Sequence, residues 1–208
     1  MKRQQICVII IKNVADSVEL CRNNCSLYLL SAYFHGVHSA SWKEYIMAKT
    51  IRILGIDPGY AIVGFGVLDY DGIRFTPVEY GAVLTEANTP FPERLRAIHE
   101  DIEYIFDKFR PECMAIERLY FTTNQKTAID VAQARGVTVL SAAKRNIPVS
   151  EYTPLQVKQS VVGYGKAEKH QVMEMTRQLL GLAQIPRPDD AADALAIAIC
   201  HGHSTRFR

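Results

Sequence analysis

Four acidic residues stand where acids are costly to place. The run from Ile51 to Asp57 is apolar and β-branched, and strand alternation puts Ile53, Gly55 and Asp57 on one face, so the run closes on a carboxylate. The run from Cys113 ends the same way, at Glu117. Asp190 and Asp193 are three apart at the start of an Ala-rich helical stretch and share a face of it. Each has an ordinary reading alone: a turn at Asp57-Pro-Gly, a solvated strand end at Glu117, a helix N-cap at Asp189 or Asp190. Together they are four carboxylates at the ends of separate elements, where α/β sheets gather their sites. Like charges so gathered raise one another's pKa, and a divalent cation relieves them. Oxygen ligands with no His/Cys set select Mg²⁺ or Mn²⁺. Two such ions about 4 Å apart clamp the attacking and leaving oxygens of a phosphodiester. The chemistry indicated is metal-assisted phosphodiester hydrolysis.

A second group of residues suits a polyanion. Arg118 comes directly after Glu117, with Tyr120 and Phe121 just beyond; the arginine can neutralise phosphate and the rings can stack on bases or wedge between them. For Phe121 a core or dimer-contact role is an equal reading. Lys158, Lys166 and Lys169 flank a loop with Gly163 and Gly165 that lacks the P-loop frame. Such lysines are commonly solvated surface, but their place just before the acidic helix suits contact with backbone phosphates.

These residues need elements to hold them. Strands are expected at 51–57, 62–68 and 73–84, with a hairpin turn over Asp69–Gly72, because Asp-Gly accepts positive φ. Leu95, Ile98, Ile102, Ile105 and Phe109 step by three and four, which predicts an amphipathic helix stopped near Pro111. A buried strand at 113–117, a helix over 124–144 and a strand at 148–152 come next. Thr153 and Pro154 then read as N-cap and N1 of a short helix. Helices over 167–180 and 190–200 complete the chain. Gly136, inside the second helix, suits a close backbone approach. The order βββ-α-β-α-β-α-α-α predicts an α/β fold with a mixed sheet, three antiparallel strands first, and helices on both faces.

Residues 1–50 differ from the rest. They hold three of the five cysteines and the only tryptophan, their apolar clumps have no clean period, and nothing in them connects to the regular pattern from residue 51 onward. The expectation is an atypical extension or a mis-assigned start, with Met47 favoured as the true start and residues 51–208 as the working domain. The cysteines (Cys7, Cys21, Cys25, Cys113, Cys200) are odd in number and form no C-x-x-C pair, which points to reduced thiols rather than zinc or disulfides. No apolar run approaches membrane-spanning length, so a cytoplasmic protein with no membrane partner is expected. The net charge of +2, taken as one number, argues against nucleic acid, but it averages unlike zones: +3 over 1–50, −6 over 51–117, +5 over 118–177 and zero beyond. A basic zone thus begins right after Glu117, as one-sided, salt-dependent binding of a polyanion requires.

The motifs Ile53-Leu-Gly-Ile-Asp57-Pro-Gly59, Ala115-Ile-Glu117, Gln133-Ala-Arg135-Gly136, Gln156-Val-Lys158-Gln159, Val162-Gly-Tyr-Gly165 with Ala167-Glu-Lys169, and Asp190-Ala-Ala-Asp193-Ala-Leu-Ala-Ile-Ala198 occur in one order and spacing. In this the chain resembles the RuvC family of Holliday-junction resolvases, from about residue 51 to the C-terminal region. The resemblance implies a ribonuclease-H-like fold with a five-stranded sheet and a homodimer that binds four-way DNA junctions. It implies symmetric incisions leaving 5′-phosphate and 3′-hydroxyl ends, and work alongside the RuvA–RuvB branch-migration complex. The family's catalytic carboxylates, holding two Mg²⁺ ions with Mn²⁺ as the alternative, fall on Asp57, Glu117, Asp190 and Asp193. Its assisting lysines fall on Lys158 and Lys169, and its stacking aromatic on Tyr120, where phenylalanine is the familiar residue. Its dimer contact falls on Gln133, Arg135 and Gly136. Residues 1–50 match nothing in the family. Two rivals are weaker. A sugar or acetate kinase needs a second Asp-x-Gly motif and a longer chain. A non-catalytic junction binder has no use for four acids on a surface that meets a polyanion.

Overall fold

The computed structural model describes residues 50–119 and 125–205, all within one compact unit, Ala48–Arg208. The expectations for residues 1–49, Tyr120 and Phe121 lie outside the described residues.

The elements appear in the predicted order: β1 (Ile51–Asp57), β2 (Ile62–Tyr70), β3 (Phe75–Leu84), α1 (Phe91–Phe109), β4 (Cys113–Glu117), α2 (Gln125–Lys144), β5 (Val149–Tyr152), α3 (Pro154–Val162), α4 (Lys169–Leu179) and α5 (Asp189–Ser204). The sheet runs β3-β2-β1-β4-β5, with β1–β2 and β2–β3 antiparallel and β1–β4 and β4–β5 parallel. β1 is therefore central, and its alternating side chains divide between two cores. Leu54 and Ile56 pack with Ile98, Ile102 and Phe106 of α1 and with Ala134 and Ala142 of α2. Ile53 packs on the other face with Val157 of α3, Val172 of α4 and the apolar side of α5. Asp57 has the same parity as Ile53, so strand alternation turns it toward α5.

Close packing of α5 on the sheet depends on residues without side-chain bulk. Ala191, Ala192, Ala194, Ala196 and Ala198 are fully or almost fully buried. Beneath them, a Cβ on Gly55 would lie 2.1 Å from the Ala194 carbonyl oxygen, and one on Gly64 would lie 2.1 Å from that of Asp190. Gly64 pairs across the ladder with Asp57. The backbone of the acidic helix turn thus rests directly beside the strand-end carboxylate.

Two local expectations are corrected. The hairpin turn lies two residues later than predicted. Arg52 and Asp69 face each other in register and form a two-point ion pair (Nε–Oδ1 2.7 Å, Nη2–Oδ2 2.8 Å), which carries β2 on to Tyr70. The turn then forms at Asp71, whose Oδ1 accepts from the backbone N–H groups of Ile73 and Arg74, with Gly72 at φ 91°. α4 starts at Lys169 rather than Ala167, because Gln171 Oε1 accepts from Glu168 N at 2.9 Å and makes Glu168 the cap. A Cβ on Gly136 would meet nothing within 4 Å among the described residues.

The predicted cap at Thr153 is present. Gln156 N donates to Thr153 Oγ1 (3.1 Å) and Thr153 N to Gln156 Oε1 (2.8 Å), a capping box that starts the helix carrying Lys158. Thr153→Ala is expected to lower stability by about 1 kcal/mol in urea unfolding. No helix among the described residues is long and apolar enough to cross a membrane. Cys113 and Cys200 are buried free thiols, and burial pushes the Cys113 thiol up to about 11.

Candidate active site

Asp57 and Glu117 end adjacent parallel strands, one residue beyond the paired Ile56 and Ile116. Asp190 and Asp193 come from the first turns of α5, which lies over those strand ends. All four sequence-predicted carboxylates are partly buried. Asp57 feels the other three: burial and then repulsion from Glu117, Asp193 and Asp190 push it up to about 8, against a smaller opposing pull from Lys169. Burial and Asp193 also raise Glu117, and a hydrogen bond from Asp57 partly offsets this. Burial raises Asp193, and Lys169 opposes the shift. The cluster is short of positive charge.

One cation is built in. Lys169, first residue of α4, places Nζ 2.9 Å from Asp193 Oδ2 and 3.8 Å from Asp189 Oδ2. The hydrogen bond to Asp193 holds the ammonium above its ordinary pKa. Asp189 also binds the Arg187 guanidinium. Sequence reasoning finds Asp189 only as a helix cap; the Asp189-Asp190 doublet is visible, but nothing in it shows which acid meets the lysine.

The other predicted residues are placed less directly. Lys158 is half-buried on α3 and Lys166 is exposed, and neither forms an ion pair among the described residues. Arg118 continues the β4 ladder through its backbone, N–H to Tyr152 O at 2.8 Å. With Leu119, Ala132, Arg135 and Glu151 it lines a concavity of about 250 Å³. On α2, Gln133 and Gly136 are exposed, but the Arg135 guanidinium turns into its own chain, to Glu117 O and Glu151.

The donor set suits a hard divalent cation: it is all oxygen and partly desolvated, and burial with mutual repulsion holds Asp57 protonated near neutral pH. Among the described residues no three Asp, Glu, His or Cys side chains stand close enough together to hold an ion as they are. Lys169 occupies an Asp193 oxygen instead, so coordination requires the carboxylates to close up and Asp193 to share its lysine.

The raised carboxyls set a sign for pH. The folded chain keeps the Asp57 proton up to about 8, whereas the unfolded chain gives it up near 4. The native state binds more protons across that window, so stability falls as pH rises through it. Glu117 and Asp193 act in the same direction. The melting temperature of the metal-free protein is expected to be lower at pH 8 than at pH 5, as differential scanning fluorimetry in chelator-treated buffer would show; an increase would contradict the electrostatics described.

Known proteins are similar to this chain over most of its length. Residues 53–201 match the family model for "Crossover junction endodeoxyribonuclease RuvC". Proteins of that name from Alkaliphilus oremlandii and Desulfitobacterium hafniense are 54% and 56% identical over 155 residues, covering 74% of this chain and 94% of each relative. The solved structure of Thermus thermophilus RuvC in complex with Holliday junction substrate superposes with a TM-score of 0.71 at 36% identity, over 74% of this chain and 94% of that one.

Proposed function

This chain belongs to the RuvC family of crossover junction endodeoxyribonucleases, and on that premise we propose that it resolves four-way DNA junctions by paired, metal-dependent incisions in strands of like polarity. The observation that carries the reading is the convergence of Asp57, Glu117, Asp190 and Asp193, from two strand ends and one helix start, with Lys169 beside them.

Asp57, Glu117, Asp190 and Asp193 would hold two Mg²⁺ ions, with Mn²⁺ as the alternative. The chemistry such ions supply is Lewis-acid polarisation of the scissile phosphate and activation of the attacking water. The chain's own part is electrostatic. The carboxylates come from well-packed elements, which fixes where positive charge collects. Lys169 brings an ammonium against the charge that develops on the phosphate, and Lys158 adds a second from α3. Arg118, Lys166 and the aromatics Tyr120 and Phe121 would hold the DNA, in keeping with the basic zone after Glu117. The products carry 5′-phosphate and 3′-hydroxyl ends.

Two active sites related by a dyad explain paired cuts. The α2 surface suits that dyad: Ile129 and Leu140 are 57% and 58% exposed, and with Gln133 and Gly136 they recur at helical spacing along one face. Partnership with RuvA–RuvB in the cytoplasm rests on family membership alone. The test is a labelled synthetic four-way junction with Mg²⁺, alongside a linear duplex of the same sequence. Paired, ligatable nicks confined to the junction support the reading. Equal cutting of the duplex, or none of either, overturns it.

A further inference from the structure

Arg135 stands out because its side chain is far more committed than a surface contact needs. It lies in the middle of α2, and its side chain is 19% exposed. Its Nε donates to the backbone carbonyl oxygen of Glu117 at 3.3 Å, and its Nη2 pairs with Glu151 Oε1 on β5 at 2.5 Å. Glu117 is the last residue of β4, where regular strand geometry ends. The peptide that follows it is held at both ends: its N–H, from Arg118, donates to Tyr152 O of β5 at 2.8 Å, and its carbonyl, from Glu117, accepts from Arg135 of α2. The guanidinium fork thus ties three elements, β4, α2 and β5, at the residue that presents the Glu117 carboxylate. Its planar, multi-donor head is suited to this, since a lysine cannot reach two acceptors in fixed directions.

We infer that Arg135 is a positioning residue for Glu117: by clamping the Glu117 carbonyl and bracing itself on Glu151, it sets where that carboxylate stands in the metal-holding cluster. The inference rests on the reading of Glu117 as a metal-holding carboxylate. It takes Arg135 out of the dimer contact and gives its charge a task inside the chain. A carboxylate on the last residue of a strand stays in position only if the backbone beneath it is fixed, and Arg135 supplies the fixture. Groups that orient metal ligands without touching the metal commonly cost 10- to 100-fold in affinity or activity when removed.

The test compares Arg135→Ala, Glu151→Ala and Glu117→Gln in the full chain. Binding of Mn²⁺ alone, without DNA, is read from the electron paramagnetic resonance of free Mn²⁺. Junction cleavage is read as a function of Mg²⁺ concentration, and dimer mass by light scattering. Arg135→Ala is expected to weaken Mn²⁺ binding about ten-fold or more and raise the Mg²⁺ half-saturation by a similar factor, with the dimer intact. Glu151→Ala, at a 47% exposed side chain, should fold normally and shift both in the same direction by less. Wild-type Mn²⁺ affinity in a folded Arg135→Ala protein overturns the inference, and loss of the dimer with that affinity unchanged returns Arg135 to the interface. If Arg135→Ala does not fold, or loses both properties, Glu151→Ala decides: unchanged Mn²⁺ affinity there also overturns it. The underlying reading fails separately, if Glu117→Gln binds Mn²⁺ and cuts like wild type.

Discussion

Asp57→Asn is expected to cut junction cleavage by at least 10²–10³-fold, roughly the loss seen when one preorganised electrostatic group is removed from an active site, and to raise the melting temperature of the metal-free protein at pH 8. Both effects have one cause. Asp57 is the carboxyl that the others press on most openly, and burial together with Glu117, Asp193 and Asp190 pushes it up to about 8. That charge is tolerable when cations occupy the cluster and costly when they do not. Asparagine keeps the shape and drops the charge, so it removes one of the carboxylate oxygens proposed to hold metal and relieves repulsion at once. Near pH 5 the wild-type residue is protonated when folded and the pH lies only about one unit above its unfolded pKa, so most of the stabilisation should be gone there. Junction binding should persist, because the basic zone lies after Glu117. A mutant that cuts at the wild-type rate with Mg²⁺ would remove Asp57 from the mechanism. Equal stabilisation at pH 5 and pH 8 would remove the electrostatic explanation.

The second large effect is expected at a residue with no chemistry of its own. Gly64→Ala should lower the cleavage rate about 100-fold while leaving a folded protein. The new Cβ would lie 2.1 Å from the Asp190 carbonyl oxygen and 2.5 Å from its carbonyl carbon. These are backbone atoms, so no rotamer change makes room, and the first turn of α5 must move by something on the order of 1 Å. A misplacement of about that size costs roughly 10²-fold in rate. Overpacking itself should cost about 1–3 kcal/mol of stability. Gly81→Ala on β3 is the control, since its Cβ would meet only the Phe65 ring at 3.0 Å, and it should lose stability without a comparable loss of rate. Urea unfolding and single-turnover cleavage of a junction separate the two quantities. The packing argument fails if Gly64→Ala cleaves at full rate.

Much of the site is legible in the sequence. Asp57 and Glu117 close apolar runs, and a carboxylate at the end of a buried strand is conspicuous because burial is costly. Asp190 and Asp193 are a helical pair by spacing alone. Less is legible where the partner is distant in sequence. Nothing local shows that Lys169 takes Asp193, or that Arg135 reaches back 18 residues to the Glu117 carbonyl. The hairpin turn is displaced for the same reason. Asp69 reads as a turn residue until Arg52 stands opposite it in register. Gly136 is legible as unusual, but the described residues put nothing against it.

The elements and the chemistry at their ends are local information, because hydrophobic periods of two and of three to four are local properties and a charged terminus is visible against them. That these ends meet is a property of the folded chain. That depended on α5 lying almost in contact with β1 and β2, over Gly55 and Gly64, which brings Asp190 and Asp193 to Asp57 and Glu117. Such proximity is set by which surfaces lack side chains at the same place on two elements far apart in the chain, and no local pattern carries that information.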